Sequence, residues 1–535
     1  MRFVSHRVLF LAACAASLLP FTAHATSDNA AMAGAEVSAA ITHDHLPSLR
    51  GLMPKPDDFS GSKHVKEWKK IPLIDAPGFV QDAVAQTAPV TGGASTIAGL
   101  GFDGVGNGFT GPQGTYTVDS APPDTNGAVG ATQYVQWVNE AFAVFDKTTG
   151  KVVYGPVAGN TLWTGFGGPC ETHNDGDPIV KYDRIANRWV MTQFALPSGG
   201  PYYQCVAVSQ TSDATGAWNR YAFQYTNFPD YPKAGVWPDA YYVTFNMFKG
   251  NSFAGARLCA YDRNSMLNGA PATQQCFQLS TSYGGVLPAD LDGATLPSAG
   301  SPNYMLSKGS SSLNFWKMHV DWANPANSTL SAAASVPVAA FNAACGGGSC
   351  VPQAGTSEQL DSLADRLMYR LAYRNFGTYE SLVVNHSVAV GASRKNTYAA
   401  VRWYELRNLS ANTPTVYQQS TFAPDSTFRW MGSIAMDKMG NIALGYSTSS
   451  SSLHPGIRFA TRLKTDQLNT LSNETVMLQG TGSQLNNLNR WGDYSAMALD
   501  PVDDCTFWYT NEYLQANGTF NWSTRIASFK IAGCQ

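Results

Sequence analysis

Charge is scarce in this 535-residue chain: 14% of residues are Asp, Glu, Lys or Arg, and 35 basic against 38 acidic residues leave a formal charge of -3. No basic excess exists to track a nucleic-acid backbone, so a nucleic-acid partner is excluded. Beyond the first residues no apolar run reaches membrane-spanning length, which excludes a transmembrane anchor. Phosphate-cradling GxxxxGK[ST], a GxGxxG in a βαβ setting, the G-x-S-x-G elbow and HExxH are all missing. ATP-type phosphate chemistry, dinucleotide binding, serine hydrolysis and zinc proteolysis therefore lose their usual residues. His173, His386 and His454 are scattered, which argues against zinc.

The chain does have an export leader. Arg2 and Arg7 precede "VLFLAACAASLLPFTA", and the small-x-small "AHA" ends at Ala25, so residues 1–25 read as a signal peptide. Secreted or periplasmic placement follows. Cys14 leaves with the leader, and eight cysteines remain. In an exported chain an even number points to disulfides, and the simplest pairing follows chain order. That order joins Cys170 to Cys205, Cys259 to Cys276, Cys345 to Cys350, and Cys505 to Cys534. The glycines of "CGGGSC" let Cys345 and Cys350 close a small ring.

Residues 26–118 read as an irregular N-terminal arm or linker, with a short helix at "GFVQDAVAQTA" and a Gly-rich stretch "GLGFDGVGNGFTGPQG". From residue 119 to 535 the texture changes to short aromatic and β-branched runs separated by Gly, Pro, Asp and Asn turns. In "YVQWVNEAFAVFDKTTG", two alternating runs are joined tightly and closed by a turn, as in a meander. Starts of this kind recur at "PPDTNGAVG", "GDPIVKYD", "WPDAYY", "LPADLDG", "DRLMYRLAYR", "RWMGSIAMD" and "RWGDYSAMALDP". The spacing suits an all-β, seven-bladed β-propeller, with six or eight blades also compatible. A pair of two-sheet sandwiches is the rival.

Innermost propeller strands run beside a central channel, so the turns that lead into them converge. Asp124, Asp177, Asp239, Asp290, Arg366, Arg429 and Asp493 occupy comparable places in the seven units. Converging carboxylates repel unless a proton, an arginine or a cation intervenes. Glycosidic hydrolysis uses such a set, one carboxyl donating a proton and an ionised partner attacking sugar or activating water. Asp124, Asp177, Asp239 and Asp493 are the catalytic candidates, with Glu171 and Glu380 as longer acidic arms. Arg366, Arg429 and Arg490 would hold substrate. Asp and Asn also accept backbone hydrogen bonds in turns, so each aspartate has a purely structural use as well.

"LWTGFGGPCETHNDGDPIV" groups Trp163, Glu171 and His173 with further polar residues, and aromatic faces beside carboxylates suit a carbohydrate. The same residues could decorate a disulfide-pinned loop. "DTNGAVG" and "HNDGDP" offer oxygens around tight turns, which makes Asp124 and Asp177 candidate calcium ligands, although neither stretch matches the helix-loop-helix pattern. Arg366, Arg370 and Arg374 share one side of an alternating segment, for anion recognition or for locking turns.

On "PPDTNGAVG", "GDPIVKYD", "VWPDAYY" and "RWGDYSAMALDP", residues 119–534 resemble a family of secreted bacterial β-propeller-like proteins. That resemblance implies export and a propeller, and it supplies no catalytic set. A looser resemblance links the chain to sialidase-like propellers, in which Arg366, Arg429 and Arg490 would stand for an arginine triad. Two functions fit: a glycan-active protein, as a glycoside hydrolase, or a non-catalytic glycan- or protein-binding propeller. The expected partner is an extracellular or periplasmic glycan, met by a monomer.

Overall fold

The computed structural model describes residues 1–2, 34–52, 63–88, 90, 93–472 and 474–535. Residues 3–25 of the signal-peptide reading, Cys14 among them, lie outside the described residues. Among the described residues the chain is all-β, built from mainly antiparallel sheets of four or five strands, one eleven-stranded sheet and three two-stranded pairs, in which seven opening strands can be followed in chain order. Short turns are the reason: the alternating runs meet at Gly, Asn and Asp, and each strand pairs with the next.

The first sheet holds Asn126–Val129, Gln133–Val138, Ala141–Asp146 and Val152–Ala158, with Trp137 opposite Phe142. The second runs from Ile179–Asp183 to Trp218–Tyr225, and the third from Phe228–Val236 to Thr273–Gln278. Leu287–Asp292 opens the fourth and Met368–Asn375 the fifth, and these two openers pair in parallel, Ala289 opposite Leu371. Phe428–Met436 opens the sixth and Ala496–Leu499 the seventh. Each opening strand packs beside the next, and Ala496–Leu499 packs back against Asn126–Val129. Fully buried Trp137, Trp189, Trp403, Trp430 and Trp491 fill space within and between neighbouring sheets. Truncating one to Ala would cost about 3–5 kcal/mol.

Several strand-to-strand turns are closed by one device. Asp183 Oδ1 accepts the backbone N–H groups of Ile185 and Ala186, Asp437 Oδ1 that of Met439, and Asp500 Oδ1 that of Val502. These aspartates are turn residues, held by the geometry that makes Asp common in turns.

A second repeat lies in the backbone. Asp124, Asp177, Tyr231, Gly285, Met431 and Asp493 all take left-handed conformations, with φ between 45° and 59°. Each sits at the bend leading into the regular pairing of an opening strand. A left-handed non-glycine residue costs about 1–2 kcal/mol, so its recurrence at one structural position marks an imposed chain reversal.

The arm supplies edge strands. Glu36–Ala39 adds to the third sheet, Thr42–Leu46 to the second, Ala85–Gln86 to the fifth and Thr96–Asp103 to the seventh. The helix expected in "GFVQDAVAQTA" is absent. Asp82 accepts the N–H of Val84 and pairs with buried Arg402, which fixes a turn, and Ala85–Gln86 then extends along Thr421 and Phe422. All four disulfides form as the chain order implied: Cys170–Cys205, Cys259–Cys276, Cys345–Cys350 and Cys505–Cys534.

Candidate functional site

Four of the bends before the opening strands, at Asp124, Asp177, Tyr231 and Asp493, meet. Asp124, Asp177, Asp230, Tyr231, Arg366, Arg490 and Asp493 line a single pocket there with about 20 Å³ of free space. Lys66, Glu67, Trp68 and Lys69 of the arm complete its wall. The bends are pinned from behind. Asp177 N–H donates to Asn139 Oδ1 at 2.9 Å, and Asp493 N–H to the Trp491 carbonyl at 2.8 Å. Tyr231 Oη donates to the Asp493 carbonyl at 3.2 Å, tying the third unit to the seventh.

Three buried cations divide the carboxylates among them. Arg490 reaches both oxygens of Asp493 at 2.5 Å, lies 3.3 Å from Asp361, and donates to the Lys66 carbonyl at 2.5 Å. Arg366 grips Asp365 through two hydrogen bonds, at 2.7 and 3.0 Å, and its guanidinium lies 4.3 Å from the Tyr231 ring centre. Lys233 is held between aromatic faces, 3.4 Å from the centre of Tyr231 and 3.9 Å from that of Tyr494, and donates to the Pro232 carbonyl. Burial lowers its pKa to about 8, against the pull of Asp177 and Asp124.

The acids respond differently to these surroundings. Burial, followed by repulsion from Asp493 and Asp177, holds the Asp124 carboxyl well above the usual range. One of its oxygens is buried without a hydrogen-bond partner. Burial and the Asp493 charge also raise Asp177, with Lys233 opposing. Asp230 is pushed up to about 8 and Asp361 to about 7, in both cases first by burial. Glu512, buried beneath the bend and accepting the Gly492 N–H at 2.8 Å, is raised well above the ordinary value. Carboxyls whose proton affinity is raised thus stand in the same cluster as an arginine-paired carboxyl, a combination acid–base chemistry can use.

Of the residues singled out in the sequence, Asp124, Asp177, Asp493, Arg366 and Arg490 are brought together. The others lie elsewhere. Asp239 follows the opening strand of the third sheet, accepts from Tyr242 Oη at 3.2 Å, and its carbonyl accepts from the Trp322 indole. The third unit begins nine residues earlier than "WPDAYY" implied, at "FPDYPK", so Tyr231 takes the place assigned to Asp239. Arg429 is buried in the sixth sheet against Glu474, at 2.7 and 2.9 Å, two residues before the actual bend at Met431. Asp290 lies inside its strand, bonded to Lys181 and Arg370, and Glu380 accepts from Tyr373 Oη.

Trp163 is fully buried beside Trp137. Glu171 accepts the N–H groups of Gly165 and Gly167, and His173 Nδ1 contacts Thr172 Oγ1, so both belong to the loop pinned by Cys170–Cys205. Arg370 and Arg374 bridge units: Arg370 donates to the Met497 carbonyl, and Arg374 donates to the Met436 carbonyl and to Asp504. Among the described residues no group of three or more His, Cys, Asp or Glu side chains is arranged to hold a metal.

Sequence reasoning missed Asp230, Tyr231, Lys233, Tyr494, Asp361, Glu512 and the covering residues 66–69. A signal existed for the third unit: Asp124, Asp177, Tyr231 and Gly285 recur every 53 or 54 residues. Nothing comparable marked Lys66, because its role depends on where the arm crosses.

No protein-family model matches the chain, and no curated protein matches it. Solved structures show distant likeness. An ulvanlyase, a polysaccharide lyase bound to -[GlcA(1-4)Rha3S]-, is 12% identical with a TM-score of 0.35, covering 80% of this chain and 97% of its own. The WD40 domain of SCAP from fission yeast is 8% identical at TM-score 0.32, over 76% of this chain and 81% of its own. An alpha-L-arabinofuranosidase from Lactobacillus brevis is 11% identical at 0.29, over 66% and 90%. Likeness at this level fixes neither activity nor substrate.

Proposed function

We propose that this is an exported glycan-active protein, a glycoside hydrolase whose acid–base centre is the pocket where Asp124, Asp177 and Asp493 meet. In this reading the seven units are the blades of a propeller over residues 119–535, and residues 26–118 are an arm laid against it. The contact of the last opening strand with the first supports the ring. The leader around Arg2 and Arg7 supports secretion or periplasmic placement.

One observation carries the catalytic part. Asp124 has its carboxyl pKa raised well above the usual range by burial and by neighbouring negative charge, while Asp493 is paired with Arg490 in the same pocket. Asp124 would donate a proton to the leaving glycosidic oxygen, and Asp493 would attack the sugar or activate water. Arg490 would orient that carboxylate through its two hydrogen bonds. Turnover of an oligosaccharide library by the wild type and by Asp124→Asn and Asp493→Asn variants, each assayed with the covering residues 66–69 cut away, tests this. Loss of hydrolysis in both variants, with folding intact, is expected, and hydrolysis surviving in Asp124→Asn would remove the assignment.

The small free volume favours a second reading. A site whose charges are already neutralised by Arg366, Arg490 and Lys233 could hold the ring together, and the protein would bind glycan or protein without turnover. Glycan retention undiminished in the Asp124→Asn variant, with no hydrolysis by any form, would select it.

A further inference from the structure

The arm crosses the pocket with one apolar side chain packed into the body before Ile71, that of Trp68. His64 and Val65 pair in parallel with Ser120 and Ala121, and Lys66 N–H donates to the Ala121 carbonyl at 2.8 Å. Val65 is exposed, and so is the Glu67 side chain, at 69%. The remaining contacts fall on the site and its rim. The Lys66 carbonyl accepts from Arg490, and Lys66 Nζ pairs with Glu140 and donates to the Asp175 carbonyl at 2.8 Å. His64 Nε2 lies 3.2 Å from the same Glu140 carboxylate. Trp68 lines the pocket with its indole N–H buried and unpartnered. Lys69 lies over Phe228 and Phe248, and Ile71, buried among aromatic residues, ends the crossing. Both ends carry an exposed lysine, Lys63 before it and Lys70 within it.

We propose that residues 64–70 are an autoinhibitory strap, which keeps the pocket closed until a protease specific for lysine cuts after Lys63 and Lys70. The proposal rests on the site reading above and names the regulation of that same site. Two paired residues, the ion pairs of Lys66, the Arg490 hydrogen bond, the stacking of Lys69 and the packing of Trp68 hold the strap, a set of contacts small enough to need the tether at both ends. Once cut, the fragment dissociates into dilute solution because its effective concentration is lost. The body keeps its fold, since Glu36–Ala39, Thr42–Leu46 and Thr96–Asp103 stay paired at their own sheet edges.

Limited trypsin treatment of the full chain tests this, with mass spectrometry of the fragments and with labelling of carboxyls by a water-soluble carbodiimide and glycinamide. Cuts after Lys63 and Lys70 are expected, with loss of the fragment from a body that stays folded. Labelling of Asp124, Asp177 and Asp230 should then rise at least about tenfold, as it does when a locally closed region opens. A Lys63→Gln/Lys70→Gln variant should retain the strap and stay unlabelled after the same treatment.

Absence of cuts at these lysines, a fragment that stays bound, unchanged labelling, or unfolding of the cut body would each overturn the strap. Opening accompanied by oligosaccharide hydrolysis supports both the strap and the hydrolase. Opening without hydrolysis supports the strap and overturns the hydrolase.

Discussion

Replacing Arg490 by Met removes the charge that holds the seventh unit's bend to the pocket while keeping an apolar stem of similar reach. Its guanidinium pairs with Asp493 through both oxygens, lies 3.3 Å from Asp361, and carries the hydrogen bond to the Lys66 carbonyl. Asp361 and Asp493 are both buried, so the substitution leaves two buried carboxyl groups without their shared partner rather than deleting one pair. Breaking a buried pair from one side costs about 3–5 kcal/mol. With about 2.1 cal/mol/K of unfolding entropy per residue, a chain of this size converts that loss into a Tm fall of about 3–5 °C. Differential scanning calorimetry of wild type, Arg490→Met and Arg490→Met/Asp493→Asn measures it. The double variant should recover part of the loss, because Asp493→Asn removes one of the two carboxyl groups left without a partner. An unchanged Tm in Arg490→Met, or a double variant less stable than the single one, would refute the idea that Arg490 is the counter-charge of this cluster.

Two further outcomes follow from the same physics. Asp361 binds its proton up to about pH 7 in the folded protein, whereas an unfolded aspartate releases it near pH 4. Between those values the native state holds more protons, so this group's contribution is full below about pH 4 and is lost as pH rises through about 7. Tm measured across pH 5 to 8 should therefore fall less in Asp361→Asn than in wild type, and parallel curves would count against it. Separately, Cys505–Cys534 ties the last strand to the strand before it across 29 residues. Replacing both cysteines by serine should cost about 3 kcal/mol, read by chemical denaturation, with a loss below 1 kcal/mol arguing that the strand pairing alone holds the terminus.

Much of the fold was legible because the local signals and the tertiary environment agree. "YVQWVNEAFAVFDKTTG" alternates, turns and alternates again, and its strands pair Trp137 with Phe142 as that pattern requires. Cysteine pairing was readable for the same reason, as each bridge closes a local excursion. The arm was harder. Thr96–Asp103 is an edge strand with five exposed residues, so it carries no apolar alternation to announce it. Within the site, Asp124, Asp177 and Asp493 stood out as charged residues at bends. Tyr231, Gly285 and Met431 occupy equivalent bends with unrelated side chains, because what repeats is a left-handed backbone and not a residue type. Asp239 stands in "WPD", which has the same Pro-Asp texture as the true start at "FPD" nine residues before it. Lys233 was hidden by its burial, since sequence gives no sign that an ammonium will lie between Tyr231 and Tyr494.

The most direct test of the central claim is hydrolysis of a mixed oligosaccharide library by the strap-cleaved protein, comparing wild type with Asp124→Asn and with Asp239→Asn. The account predicts turnover in wild type, a loss of at least about 100-fold in Asp124→Asn, as expected on removing a general acid, and unchanged turnover in Asp239→Asn. Equal turnover in wild type and Asp124→Asn, or a loss confined to Asp239→Asn, would contradict it.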